Sequence, residues 1–187
     1  MSEDEPRTIT FVVVEEQAIS PDLDRGIRET LVECFPHNTD HYSRTRDWHC
    51  SPAWVVAANG PDGTVAAHCA MVEREVLVGG TQRVTVAGVQ GFSVRPAWRK
   101  TGLSDRIMAI ALAEARHRGI QAGLLFCLPS LERIYGRMGW RSAPFSVTMT
   151  DENGNPAPLP DKNIAMVIPL TIDVFPSGDI DLRGTDW

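Results

Sequence analysis

The Gly79-Gly80 pair constrains this chain most, because it separates two strand-like runs of unusual length. Thr64–Val78 lies before it and Arg83–Val94 after it, both rich in Val and Ala. Glycines supply the positive φ that a tight hairpin needs, and a connection this short can join only antiparallel strands. A second turn, Asn59–Gly63 (Asn-Gly-Pro-Asp-Gly), ties Ala53–Ala58 to the same pair. The result is a three-stranded meander, which excludes a helical bundle.

Helical and strand patterns flank the meander. Thr8–Val14 reads as a first strand, and Pro21-Asp22 opens a helix to about Cys34 with Leu23, Ile27, Leu31 and Phe35 on one face. Residues 36–52 are polar and rich in His, Asp and Arg, the pattern of a loop or broken helix. After Pro96 a helix is expected over about 104–118, stopped by Gly119. Ala122–Cys127 is short and apolar throughout, as befits a strand at the middle of a sheet. Pro129 begins a second helix of about 130–138, and two late strands are expected near 145–149 and 164–170 around a Pro/Asn/Gly-rich loop. This order of strands and helices implies an α/β layer.

Length and composition narrow the classes. At 187 residues and 43% hydrophobic, the chain suits one domain with a sizeable core. Eighteen basic against 24 acidic residues give a formal charge of -6, which argues against general nucleic-acid binding and leans toward a cationic partner. No apolar run is long enough to span a bilayer, and the acidic start lacks a signal peptide's regions, so a cytoplasmic protein is expected. Cys34, Cys50, Cys69 and Cys127 are widely spaced and read as reduced, mostly buried thiols. His37, His41, His49 and Cys50 fit no zinc spacing, and no metal is expected.

The segment with most chemical content is Val94-Arg95-Pro96-Ala97-Trp98-Arg99-Lys100-Thr101-Gly102-Leu103-Ser104. A strand ends, a basic turn follows, and a helix N-terminus begins. Backbone N–H groups there, aided by the helix dipole, make a cradle for a pyrophosphate. Gly102 lets the main chain approach phosphate oxygens, while Arg99 and Lys100 add charge. Taken alone, the segment fits an ordinary strand–loop–helix connection equally well.

Arg99-x-x-Gly102-x-Ser104 resembles the pyrophosphate signature of the GCN5-related N-acetyltransferase (GNAT) superfamily, with Ser at the final small position. The following helix, apolar strand and Ser130–Trp140 stretch match that family's next elements in order and spacing. The resemblance implies a single N-acetyltransferase domain over 1–187, with a mixed, mostly antiparallel central sheet flanked by helices and acetyl-CoA as cosubstrate. It places Phe92 and Val94 main-chain groups along the pantetheine arm and Arg99, Lys100, Thr101, Gly102, Leu103 and Ser104 around the pyrophosphate. It implies a bulge near Gln90-Gly91 that aims an amide at the thioester carbonyl. Tyr135 stands where the family commonly keeps the acid for the departing thiolate.

Within the superfamily, residues 47–187 are most similar to the aminoglycoside 2′-N-acetyltransferases, over Val89–Trp140 above all. That likeness implies acceptor contacts from Asp47, Gln90, Gly91, Phe126, Asp161, Asp186 and the terminal carboxylate of Trp187, with catalytic parts for Tyr135, Gln90 and Asp186. Gln90 replaces an acidic strand residue of the family and Phe126 replaces a serine, which suits a less cationic acceptor such as kasugamycin. The expected partners are a cationic amino-sugar antibiotic, in a resistance role, and a second copy of the chain as a homodimer. Neither nucleic acid nor membrane is expected. A nodulation-type N-acyltransferase, resembled by Phe175–Gly184, and a non-catalytic module of the same fold are the alternatives.

Overall fold

Gly79 and Gly80 take φ of 59° and 74°, and the turn they make folds strand β3 (Val65–Val78) onto β4 (Gln82–Val94). A computed structural model describes residues 8–160 and 163–187. The β3–β4 ladder runs from Val78↔Gln82 back to Ala67↔Val94, and β2 (Trp54–Asn59) and β1 (Thr10–Glu15) follow it antiparallel on the other edge of β3. On the far side of β4 lie β5 (Ala122–Cys127), β9 (Ile164–Pro169) and β6 (Arg141–Ser142), in that order. The last residues of β3 also hold β10 (Ile180–Asp181), which carries β7 (Val147–Thr150) and β8 (Pro156–Pro158). Among described residues only β4–β5 and β10–β7 pair in parallel. The sheet is therefore mixed and mostly antiparallel, flanked by helices, as expected.

Helix α1 (Pro21–Cys34) has the predicted bounds because Ser20 accepts a bond from the Leu23 amide at 3.2 Å and Pro21 occupies the first turn. Its Ile27 and Leu31 pack with Val55, Ala57 and Ala70 on one face of the sheet. Helix α3 (Leu103–His117) covers the other face, burying Leu103, Ile107, Met108, Ala111, Leu112 and Ala115. Residues 36–52 are a broken helix: a 3-10 turn, then the single turn α2 (Thr39–Tyr42). The helix expected over 130–138 is shorter, since a 3-10 turn at Pro129–Leu131 precedes α4 (Glu132–Arg137). No helix among the described residues is long and apolar enough to cross a membrane.

The tail is docked rather than frayed. Phe175, Ile180, Leu182 and Trp187 are buried, and Ile180 pairs with Val78. The Trp187 indole lies over Gly88, where a Cβ would overlap it, and sits 5.2 Å from the Phe126 ring. Arg74 stacks over the indole at 5.2 Å and donates to the Thr185 carbonyl. Gly88→Val should therefore expel the indole and lower stability by about 1–3 kcal/mol, the usual cost of overpacking. Thermal unfolding measures the loss, and limited proteolysis should cut the Gly88→Val chain near its end while the parent resists.

Candidate active site

The β4–β5 ladder ends early. It comprises Val86↔Ala122, Ala87↔Gly123 and Gly88↔Leu124, while β4 continues to Val94 and β5 to Cys127. Beyond Gly88 and Leu124 the two strands part, and a cavity of about 370 Å³ opens in the fork. Val89, Gln90, Gly91 and Phe92 line it from β4, and Leu125, Phe126 and Cys127 from β5. Tyr135, Asp186 and Trp187 close it together with Phe35, Asn38, Tyr42 and Trp48 from the α1–α2 region. Asp186 is the one charged side chain among the described lining residues.

The expected bulge is present. Ala70 pairs with Gln90 but His68 pairs with Ser93, so β4 carries one extra residue, and Gly91 takes φ of 59°. Gln90 is buried; its Nε2 donates to the Cys50 carbonyl at 3.0 Å, while its Oε1 has no partner among the described residues. A buried acceptor without a donor is costly, and this one belongs to a residue lining the cavity.

Tyr135 is buried in α4 with its ring 6.0 Å from Phe92 and 6.4 Å from Trp140. Burial pushes its phenol well above the ordinary tyrosine range, so it stays protonated. Asp186 is bonded to Nδ1 of His49, a half-exposed imidazole, and its own carbonyl lies 3.8 Å from the Cys50 thiol. Cys127, pushed up to about 11 chiefly by burial, is an inert thiol at neutral pH.

At the other end of β4, Val94, Trp98, Arg99, Lys100, Leu103 and Ser104 enclose a smaller cavity of about 100 Å³. Lys100 and Gly102 both adopt positive φ, 63° and 75°, which turns the loop sharply into α3. Gly102 is the N-cap of α3 and offers no side chain to its first amides. A Cβ there would meet no protein atom within 4 Å, so the loop faces open space. Arg99 Nε donates to the Val94 carbonyl at 3.1 Å, and the Thr101 hydroxyl donates to the Trp98 carbonyl at 2.7 Å. Thr101 thus braces the loop and does not line the cavity.

The fork brings together Tyr135, Gln90, Gly91, Phe92, Phe126, Asp186 and Trp187. Asp47 is not among them. Its carboxylate is held by Arg46 at 3.3 Å and by the Ser51 hydroxyl at 2.8 Å, so it braces the loop instead of facing the cavity. Asp161 lies outside the described residues. The sequence reading missed Trp48, Tyr42, Phe35, Asn38, His49 and Arg74. The clustering of aromatic and His residues in 35–49 was the available signal, read there only as polarity.

Residues 19–143 match the family model of the acetyltransferase (GNAT) domain. Among solved structures, the chain is similar to the GNAT family N-acetyltransferase YhbS from Escherichia coli in complex with CoA. The identity is 17%, over 97% of this chain and 93% of that one, with a TM-score of 0.64. A GNAT family acetyltransferase from Brucella melitensis in complex with acetyl-CoA is 18% identical over 91% and 94%, with a TM-score of 0.59. An acyl-CoA N-acyltransferase from Pseudomonas aeruginosa is 15% identical over 86% and 99%, with a TM-score of 0.61. At these identities the likeness is one of fold. No curated protein matches the chain.

The burial of both tyrosines of the chain gives a direct test. Burial pushes Tyr42 up to about 12 and Tyr135 further in the same direction. In the unfolded chain both phenols ionise near 10. Above that pH the unfolded state has released protons that the folded state keeps, so stability falls as pH rises. Ultraviolet titration should show no phenolate in the native protein at pH 10.5, and both phenolates should appear together on alkaline unfolding.

Proposed function

The chain belongs to the GNAT acetyltransferase family, and we propose that it moves the acetyl group of acetyl-CoA to an amine of an amino-sugar antibiotic. The aminoglycoside class is meant, acetylated at a 2′ amine, with kasugamycin as the favoured acceptor and resistance as the role. The observation that carries this reading is the fork, where a buried tyrosine, a bulged strand and one acidic side chain share a cavity. A lone Asp186 among aromatic rings suits an acceptor with few ammonium groups better than a polycation. Its burial strengthens that one contact, since a partly shielded carboxylate attracts a cation more than a solvated one.

The pyrophosphate of acetyl-CoA lies against the loop 99–104. The first amides of α3, left without a side-chain cap, donate to it, and Arg99 and Lys100 add charge. The pantetheine arm follows the free edge of β4 past Val94 and Phe92, as an added strand would. The thioester then sits at the bulge.

The acceptor enters as an ammonium and gives up one proton to Asp186, which passes it through half-exposed His49 to solvent. The amine nitrogen then attacks the thioester carbonyl carbon, forming the C–N bond and an oxyanion that the Phe92 N–H stabilises. The C–S bond breaks, the departing sulfur takes the Tyr135 proton, the nitrogen loses its second proton to the Asp186–His49 pair, and Tyr135 regains a proton from solvent as the products leave. Burial keeps Tyr135 a neutral donor, and the same burial raises the basicity of the sulfur it protects. Holding both reactants in the fork supplies much of the acceleration.

Incubation with acetyl-CoA and a panel of amino-sugar antibiotics, following released thiol, tests the reading; no thiol with any of them would refute it. Tyr135→Phe should leave both substrates' binding intact and lower kcat about ten- to a thousandfold, the scale of one lost general acid. Gly102→Asp adds strain and a negative charge at the loop, and should weaken CoA binding at least tenfold by calorimetry. Unchanged CoA affinity in a folded Gly102→Asp protein would remove the phosphate cradle.

A further inference from the structure

His68 is fully buried in β3, across from Ala57 of the cluster under α1, and takes no part in the chemistry described so far. Its Nδ1 lies 3.0 Å from the carbonyl oxygen of Gly91, the positive-φ residue of the β4 bulge. A carbonyl only accepts, so Nδ1 carries the hydrogen and Nε2 the lone pair. Burial lowers the imidazole to about 4, which keeps it in this neutral form throughout the working range. Nε2 has no partner among the described residues, and neither has the buried hydroxyl of Ser93, directly across the ladder. An aliphatic side chain would fill this place without stranding a ring nitrogen, so packing alone does not explain an imidazole here.

The bond it makes does explain it. The bulged strand has surrendered regular ladder geometry, and a bulge peptide needs something to fix its plane. A Cβ on Gly91 would come within 3.3 Å of both the His68 ring and Leu31, so the site is closely packed around that peptide. Because a trans peptide is planar, a Gly91 carbonyl aimed at His68 turns the Phe92 N–H toward the opposite side. The Phe92 side chain itself packs beside Tyr135, 6.0 Å between ring centroids.

We infer that His68 is a positioning residue, whose hydrogen bond to Gly91 sets the Phe92 amide as the donor to the thioester carbonyl of acetyl-CoA. The inference rests on the acetyl-CoA reading above and extends it to a side chain that touches neither substrate. The donor's direction is thus set from behind, through the rigid peptide, by a residue on another strand.

The test needs no acceptor. The carbonyl stretch of carbonyl-13C-labelled acetyl-CoA is recorded by infrared difference spectroscopy, free and bound, with CoA and acetyl-CoA affinities measured alongside. The wild-type protein should lower the stretch and bind acetyl-CoA more tightly than CoA. His68→Leu should bind CoA within about twofold of wild type, yet return the stretch toward its free value and bring the two affinities together. His68→Asn, whose amide reaches the place of Nδ1, should keep the wild-type shift. His68→Gln, whose amide reaches the place of Nε2 instead, should lose it. If His68→Leu does not fold, the Asn and Gln variants decide. A wild-type shift retained in His68→Leu, or equal shifts in Asn and Gln, overturns the role of His68, as does a wild-type complex with no shift. A wild-type protein that binds neither CoA nor acetyl-CoA overturns instead the reading on which the inference rests.

Discussion

Everything functional in this molecule depends on the point where β4 and β5 stop pairing. Parallel neighbours at the centre of a sheet would ordinarily continue their ladder, leaving no unpaired edge inside a fold. Here the ladder ends at Gly88 and Leu124, and the Trp187 indole lies over Gly88 and against Phe126 just where the strands divide. Gly88 has no side chain to oppose that ring. Trp187 thus helps to wall a cavity whose other walls come from β4, β5, α4 and the residues around α2.

The tail needs several anchors to do this. Leu182 and Ile180 are buried, β10 ties the segment to both β3 and β7, and Arg74 holds the Thr185 carbonyl and the indole together. Asp186, fixed between these anchors, meets His49 from the loop after α2. The Asp186 wall of the fork is therefore assembled from segments 137 residues apart in sequence. The donor side is local by comparison, since β4, the loop and α3 follow one another. Local construction suits the part of the site proposed to hold acetyl-CoA.

Much of the framework around the site was legible in the sequence. The hairpin at Gly79-Gly80, the apolar Ala122–Cys127 strand and the Pro21-Asp22 start of α1 each carry a local signal, and the elements formed where those signals lay. Gly102 was legible as the residue that leaves the main chain open before α3, but the positive φ it shares with Lys100 was not. The strands β6, β8 and β10 were not, being two or three residues long and too short to show a period. The role of His68 was not legible because its meaning lies in register: only the slip between Ala70↔Gln90 and His68↔Ser93 brings its ring to the Gly91 carbonyl. Asp47 misled because Arg46 and Ser51, its close neighbours, satisfy its carboxylate locally.

The central claim is that acetyl-CoA lies along β4 with its thioester in the fork and its phosphates on the loop before α3. Hydrogen–deuterium exchange with and without acetyl-CoA tests this most directly, since it reports each segment separately. The account predicts slower exchange in residues 89–94, 100–106 and 125–135, with β1, β2 and β8 unchanged. Protection confined to other segments, or none at saturating acetyl-CoA, would contradict it.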